Sequence, residues 1–399
     1  MHLLSAKGFL AGGVSAGIKV SGKKDVGLLI AETYATAAAA FTTNKVFAAP
    51  IKVGRKHIRG GVLKGVVLNS GNANACTGKQ GLRDANRMCT LAAQLTQSDA
   101  DLFLPSSTGI IGHLLPMDNV FAGIRAAAAD MGDSQEHALA FTDCILTTDT
   151  VRKFAAATLR IGGKKVTITG ICKGAGMIGP RMNVPQATML GYLLTDAAIP
   201  SKTLRELLAR TVDRSFNCVT IDNHMSTNDT AVLMASAESG AKVANRAARD
   251  KFLKALDEVT QSLARQIAAD GEGATKIFTV RVRAATSDAD ARKIARAIAD
   301  SALVKCAIHG NDPNWGRIVS AAGMCGAKFS PDKSKLTLQG AVVYRRGTPV
   351  VFDAAKVSAS LKSKEVIADL HCGAGTGEAT VWTCDFSKEY VTINADYHT

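Results

Sequence analysis

Ala187 and Thr188 stand where a polar approach rich in glycine and proline, "KGAGMIGPRMNVPQ" from Lys173, gives way without a bridge to the apolar pair Met189-Leu190. A threonine hydroxyl becomes a useful nucleophile only when a base takes its proton. If the bond before Thr188 is cut, the new α-amino group of the same residue can be that base. Such an amine has an ordinary pKa of about 7.7–8.0, well placed for proton transfer near neutrality. Cutting requires the hydroxyl to attack the Ala187 carbonyl, and a small residue in a strain-tolerant loop leaves room for that. An Ala-Thr pair at the start of a buried strand is also common as plain structure, so the pair needs company. Three polar, glycine-flanked stretches supply it. "PSSTGIIG" (105–112) holds a Thr108-Gly109 turn whose hydroxyl and backbone N–H could face an oxyanion. "LTTDT" (146–150) gathers three hydroxyls around Asp149, and "DGEGATK" (270–276) sets Glu272 between glycines directly after a helix.

The elements that must carry these residues read as a mixture of helices and short strands. "DVGLLIAETYATAAAAFTTN" alternates like a strand followed by a second strand or a tight turn, and Gly65–Asn69 is a strand that runs into a Gly/Asn loop. Helical periodicity is clear in "LRDANRMCTLAAQL", in "SKTLRELLARTVDRSF" with a Ser201 cap, over 249–269, and in "DADARKIARAIADSALV". "KIFTVRVRAA" alternates as a strand. The last third ends in the short strands "KLTLQG", "AVVYRRGTPVVF", "ATVWTCD" and "YVTIN". At 399 residues, two domains or one large layered unit are expected. The mixture favours an α/β sandwich with mainly antiparallel sheets over a doubly wound fold. Aromatics are 5% of the chain, so aliphatic and alanine packing must fill the core.

Several classes of function drop out. The net charge of +14 could suit nucleic acid, but the basic residues are scattered and few aromatics are present for base stacking, so a basic surface that draws in anionic substrates is preferred. Nine cysteines with no CxxC pair signal neither a zinc site nor a disulfide frame and read as small buried hydrophobes in a reducing compartment. The start lacks a signal-peptide pattern and no apolar run suits a membrane span, so a cytoplasmic protein is expected. "GIKVSGKK" (17–24) nearly matches a phosphate loop but ends in Lys24 where a hydroxyl is needed, and reads as a surface turn. "GAGTGEAT" (373–380) lacks dinucleotide-loop spacing, and His309 and His371 read as ordinary core or surface histidines. No metal-ligand spacing is present.

From end to end the chain resembles the bifunctional ornithine acetyltransferase/N-acetylglutamate synthase family of arginine biosynthesis. The resemblance is carried by "GFLAGGVSAGIK", "FTTN", "LNSGNANACTG", "SSTGIIGHLLPM", "LTTDT", "KGAGMI", "ATML", "TDA", "SFN", "STNDT", "DGEGATK", "NDPNWGRI" and "YVTINADYHT", in that order. It implies a precursor that cuts itself between Ala187 and Thr188 into an α chain (1–187) and a β chain (188–399) that stay together. The fold it implies is a four-layer α/β/β/α sandwich with mainly antiparallel sheets, related to the self-processing aminopeptidases. Thr188 would be the nucleophile, and Thr108 and Gly109 the oxyanion hole. Thr147, Lys173, Thr188, Glu272, Asn394 and Thr399 would line the substrate pocket.

The implied reaction moves an acetyl group from N2-acetylornithine to Thr188 as an ester, then to the amine of glutamate. Both donor and product are amides, so the exchange is roughly isoenergetic and calls for no ATP or coenzyme. Acetyl-CoA is an additional donor in some members. Lys173 suits the α-carboxylate that both ligands carry. The resemblance suggests a dimer of the processed pair, two α and two β chains. Rival readings are a self-processing amidase or aminopeptidase on the same scaffold, and an unprocessed, inactive binding paralogue. Two departures from the family pattern stand out: the stretch from Lys173 to Thr188 is longer than usual around "RMNVPQ", and "IDNH" (221–224) replaces "VDGD".

Overall fold

The computed structural model describes residues 1–179, 181–183 and 189–396. The first two-thirds of the chain contain β1 (Phe9–Val14), β2 (Val26–Thr42), α1 (Ala49–His57), β3 (Val62–Asn72), α2 (Gly78–Leu95) and β4 (Phe103–Ile110). There follow α3 (Met117–Ala129), α4 (Gln135–Ile145), β5 (Lys153–Ile161), β6 (Lys164–Lys173), β7 (Met182–Asn183), β8 (Leu190–Thr195), α5 (Ser201–Arg214), β9 (Thr230–Ala235) and α6 (Arg246–Ala269). The last third contains β10 (Ile277–Ala285), α7 (Asp288–Asp300), α8 (Ala302–His309), α9 (Trp315–Gly323), β11 (Lys335–Leu338) and β12 (Ala341–Arg345). It closes with β13 (Thr348–Pro349), α10 (Ala354–Ser360), β14 (Glu365–His371), β15 (Gly377–Cys384) and α11 (Lys388–Asp396). No helix among the described residues is long and apolar enough to cross a membrane.

Strand β2 organises the first sheet. The strands run β4-β3-β2-β9-β8-β6-β5, with β1 and β7 also on β2. Its first half pairs with β1 and β3; from Thr36 onward it pairs with β9, and its register with β3 shifts between Ile30 and Ala35. The sequence expected a second strand or a turn here. Instead one 17-residue strand passes from one layer to the next at an irregularity, because both halves find partners without leaving the strand. Alternation along each strand then serves three cores. Leu28, Ile30, Val67 and Phe103 face α2 and α3. Leu29, Val66 and Leu68 from the first half meet Phe41, Tyr192, Leu194 and Met234 from the second. Ala38, Ala40, Ile168, Leu193 and Leu233 face α5 and α6. The result is four layers, helix, sheet, sheet, helix, as expected.

The third core continues past α6 into a second sheet, ordered β13-β12-β11-β14-β10-β15, which α7 covers. Only β3–β4, β8–β9 and β10–β14 are parallel pairs among the named strands, so both sheets are mainly antiparallel. Six of the nine free cysteines are buried, while Cys76 and Cys306 are exposed.

Three local expectations change. Ser201 begins α5 but does not cap it; Pro200 holds the cap position and no side chain bonds there. The helix read through "DADARKIARAIADSALV" is two, since Ser301 ends α7 and caps α8 by accepting from Val304 N–H. "YVTIN" is not a strand but part of α11. Its β-propensity loses to contacts at helical spacing: Phe386 packs on Tyr390 at 4.7 Å, the Tyr390 hydroxyl donates to Asp222, and Asn394, one turn on, donates to Glu272.

The middle core depends on large side chains meeting across alanine-lined strands. Phe141 of α4 contacts Tyr192 of β8 edge-on, with centroids 5.4 Å apart, and both are fully buried. Phe141→Ala is expected to lower unfolding free energy by about 3–5 kcal/mol in a urea titration.

Candidate active site

Register determines what surrounds the end of β8. Leu190 pairs with Lys173 of β6 on one side and Thr230 of β9 on the other. Met189, one residue earlier, therefore lies level with Gly174 and Asp229. Its φ of 134° is one that branched and bulky side chains rarely adopt, and such strain persists only where the surroundings over-determine it. Thr188 and Ala187 lie outside the described residues, as does Thr399.

The opposite wall is the end of the β3–β4 pair. Gly71 lies opposite Gly109, and the register shifts at Asn72. Thr108 and Gly109, expected in a turn, are thus strand residues beside a bulge, which leaves them at the sheet's edge with the same freedom to face a ligand. Gly109 has φ 132°, and a Cβ there would lie 2.3 Å from the Gly71 carbonyl carbon and 2.6 Å from the Asn72 nitrogen. Only glycine permits that approach. Asn228 joins the two walls: its side-chain amide donates to the carbonyls of Ala73 and Ser107, the latter at 2.9 Å.

Between the walls is a cleft of about 420 Å³. Thr108, Gly109, Thr147, Lys173, Glu272 and Asn394 all line it, together with Met189 and Asp229. Residues from both chain halves, among them Thr108 and Asn394 at 286 positions apart, meet at one opening. All six of the expected site residues that the structure describes are brought together.

A buried ionic cluster holds the floor. Lys153 Nζ is 2.6 Å from Asp149 and 2.5 Å from Asp270, with all three side chains almost wholly buried. Asp149 also accepts from the N–H groups of Thr147, at 3.1 Å, and Gly174, at 2.7 Å. Asp270, just after α6, accepts from Thr150 N–H at 3.1 Å. "LTTDT" is thereby tied to the end of β6 and to the start of "DGEGATK". Burial alone would raise the Asp149 carboxyl, but Lys153, Lys173 and these hydrogen bonds hold it below the usual range. Burial lowers the Lys173 ammonium, while Asp149, Asp229 and Glu272 oppose that shift. Lys173 Nζ lies 3.5 Å from the Thr147 hydroxyl.

Glu272 is held by its N–H, which donates to Ala175 O at 2.9 Å, and by Asn394, which donates to its Oε2 at 2.9 Å. Asp222 supports the same corner, accepting from Met177 and Ile178 N–H at 2.7 and 2.9 Å. Its neighbour Asn223 has φ 59°, a left-handed conformation that asparagine tolerates, so glycine can be replaced there without reshaping the turn. Neither Asn223 nor His224 lines the cleft.

A sequence model of the ArgJ family matches residues 10–399. The chain belongs to the ArgJ family. Among similar ArgJ-family proteins, the arginine biosynthesis bifunctional protein ArgJ of Symbiobacterium thermophilum is 48% identical over 398 residues, 98% of this chain and 97% of its own. That of Rhodopirellula baltica is 45% identical over 402 residues, covering 100% of this chain and 97% of its own. The crystal structure of the Bacillus halodurans ArgJ protein matches with a TM-score of 0.50 and 36% identity, covering 51% of this chain and 96% of that one.

Sequence reasoning attached no role to Ser226, Thr227, Asn228 and Asp229, all of which line the cleft. Thr227, Asn228 and Asp229 are also buried. The available signal was a run of five polar residues, "STNDT", that ends on the first residue of the wholly buried strand β9.

Gly109→Ala is expected to destabilise the protein by more than about 1 kcal/mol and to speed amide exchange at the β3–β4 end. Gly112→Ala serves as the control, since it has similar φ strain but nothing within 4 Å of an added Cβ, and should cost less.

Proposed function

We propose that this ArgJ-family chain cuts itself between Ala187 and Thr188 and then transfers the acetyl group of N2-acetylornithine to glutamate through an ester on Thr188. The observation that carries this reading is the meeting of Thr108, Gly109, Thr147, Lys173, Glu272 and Asn394 in the cleft that Met189, the neighbour of Thr188, helps to close. The Bacillus halodurans chain, matched over 96% of its length by 51% of this one, is about the size that a cut at Thr188 would leave.

The roles follow from charge and position. Thr108 and the Gly109 N–H stabilise the oxyanion that forms at the acetyl carbon, a contribution of about 2.7–4 kcal/mol for one such donor. Lys173 meets the α-carboxylate common to N2-acetylornithine and glutamate. Glu272, steadied by Asn394, offers an anionic counterpart to the side-chain ammonium of the ornithine donor. Thr147 and Thr399 complete the pocket. The α-amine of Thr188 takes the hydroxyl proton during attack and returns it to the departing nitrogen. Water must be kept from the ester, which separates a transferase from a hydrolase. The exchange of one amide for another needs no energy source; acetyl-CoA would serve only as a further acetyl donor. Two processed pairs form the assembly.

Intact mass and N-terminal sequencing test the cut. The wild-type protein should give two species near half of 41.7 kDa, one starting at Thr188, and Thr188→Ala should remain whole and inactive. A processed Thr188→Ala protein refutes the nucleophile. Ornithine release from N2-acetylornithine should depend on glutamate in steady state; release indifferent to glutamate identifies an amidase instead. Glu272→Gln should remain folded and processed but turn over more slowly, and an unchanged rate removes Glu272 from the site.

A further inference from the structure

Acetyl exchange moves more protons than the Thr188 hydroxyl alone can supply. The acetylated nitrogen of N2-acetylornithine bears one hydrogen, and the same nitrogen of free ornithine bears three near neutrality. One proton must reach it for the neutral amine to leave, and a second converts that amine to the ammonium. The Thr188 hydroxyl, through its own α-amine, supplies one. In the second half of the reaction the α-ammonium of glutamate must shed two protons as the new C–N bond forms. One of these returns to the Thr188 oxygen as the ester opens. Over the whole cycle a second proton is given out and later recovered, and a cleft group that holds a proton in the resting enzyme would supply it without recourse to bulk water.

The described groups can be weighed for that task. Asp149 is held ionised, with Lys153, Thr147 N–H and Gly174 N–H on its oxygens. Glu272 is engaged by Asn394. Lys173 faces the Thr147 hydroxyl and is needed as a cation for the carboxylate. Asp229 differs from all three. It lines the cleft, its residue is 3% exposed, and its Oδ2 has no hydrogen-bond partner among the described residues. Its backbone carbonyl is fixed by Thr42 N–H at 3.0 Å, which holds the side chain level with Met189.

We infer that Asp229 is the second proton carrier of the acetyl exchange, giving its carboxyl proton to the departing amine and taking one back from the incoming α-ammonium. This rests on the acetyl-transfer reading above. The balance is closed: Asp229 passes from carboxyl to carboxylate in the first half and back in the second, while the Thr188 oxygen loses and regains its own proton. Burial supports the assignment by pushing the Asp229 carboxyl well above the usual range, so that it keeps its proton where an ordinary aspartate would have lost it; Lys173, the Ser226 side chain and the Met189 N–H pull the other way. The facing groups are thus Lys173 from β6, itself near Asp149, Lys153 and Glu272, the Met189 N–H just before β8, and the Ser226 hydroxyl from the loop before β9.

The test is the pH dependence of ornithine release in a single turnover, with processed wild-type enzyme and N2-acetylornithine alone. Because the carboxyl must be protonated, the rate should fall as pH rises through its pKa. That midpoint should hardly move with temperature, as for a carboxyl, whereas the midpoint of an amine falls on warming. A midpoint that shifts as an amine's does, or the absence of any such limb, overturns the inference. Asp229→Asn should still be cut at Thr188, release ornithine about 10²–10⁴-fold more slowly, and lack the high-pH limb. Wild-type rate with the limb retained also overturns it. If Asp229→Asn fails to fold or to be cut, the wild-type temperature series decides alone. Failure of processed wild-type protein to release ornithine at any pH would instead refute the acetyl-transfer reading.

Discussion

The register of β8 between β6 and β9 is the constraint on which the site depends. All six residues of β8 are buried, with Leu193 facing one core and Tyr192 and Leu194 the other. A slip of one residue would exchange those faces and send every side chain into the wrong layer, so the alternative registers are strongly disfavoured. With the register held, Leu190 can only lie between Lys173 and Thr230, and Met189 just before it lines the cleft. The apolar packing of two cores thus places a site lined mainly by polar residues, with Met189 and Ile178 of one core and Ala73 of the other at its wall.

The second constraint is electrostatic. Three ionised groups lie beneath the cleft in Lys153, Asp149 and Asp270, and burying such charges is tolerable only because each is paired and the carboxylates accept further N–H bonds. The cluster connects "LTTDT", the end of β6 and the end of α6, three segments distant in sequence. It also keeps an anion near Lys173, which opposes the lowering that burial imposes on its ammonium. A lysine able to meet a carboxylate in a partly buried cleft is therefore a property of the network. Loosening any of its tethers would be felt first in Thr147 and Lys173.

How much of this was legible in the sequence varies with the range of the cause. The α2 and α6 helices, the β10 strand and the glycine-flanked polar segments are local patterns, and they were read correctly. Thr108, Gly109, Thr147, Lys173, Glu272 and Asn394 could be named because each lies in a distinctive block. The errors came where a distant partner overruled local preference. "YVTIN" has strand-like residues, yet Tyr390 and Asn394 answer to Asp222 and Glu272 and make the segment helical. Thr108-Gly109 reads as a turn because of the glycine, but that glycine is there for the close approach of Gly71.

By itself the sequence determined the family, the chemistry open to a threonine that follows a small residue, and the alternation that sorts each strand into its layers, since these depend on residue type and short spacing. Only the tertiary structure decided that β2 would pass through two layers, that the separated polar segments would share one cleft, and that Asp229 would be buried there with an oxygen unpartnered among the described residues. Desolvation and proximity are properties of a place rather than of a residue, and the place exists only once the sheets have closed over it.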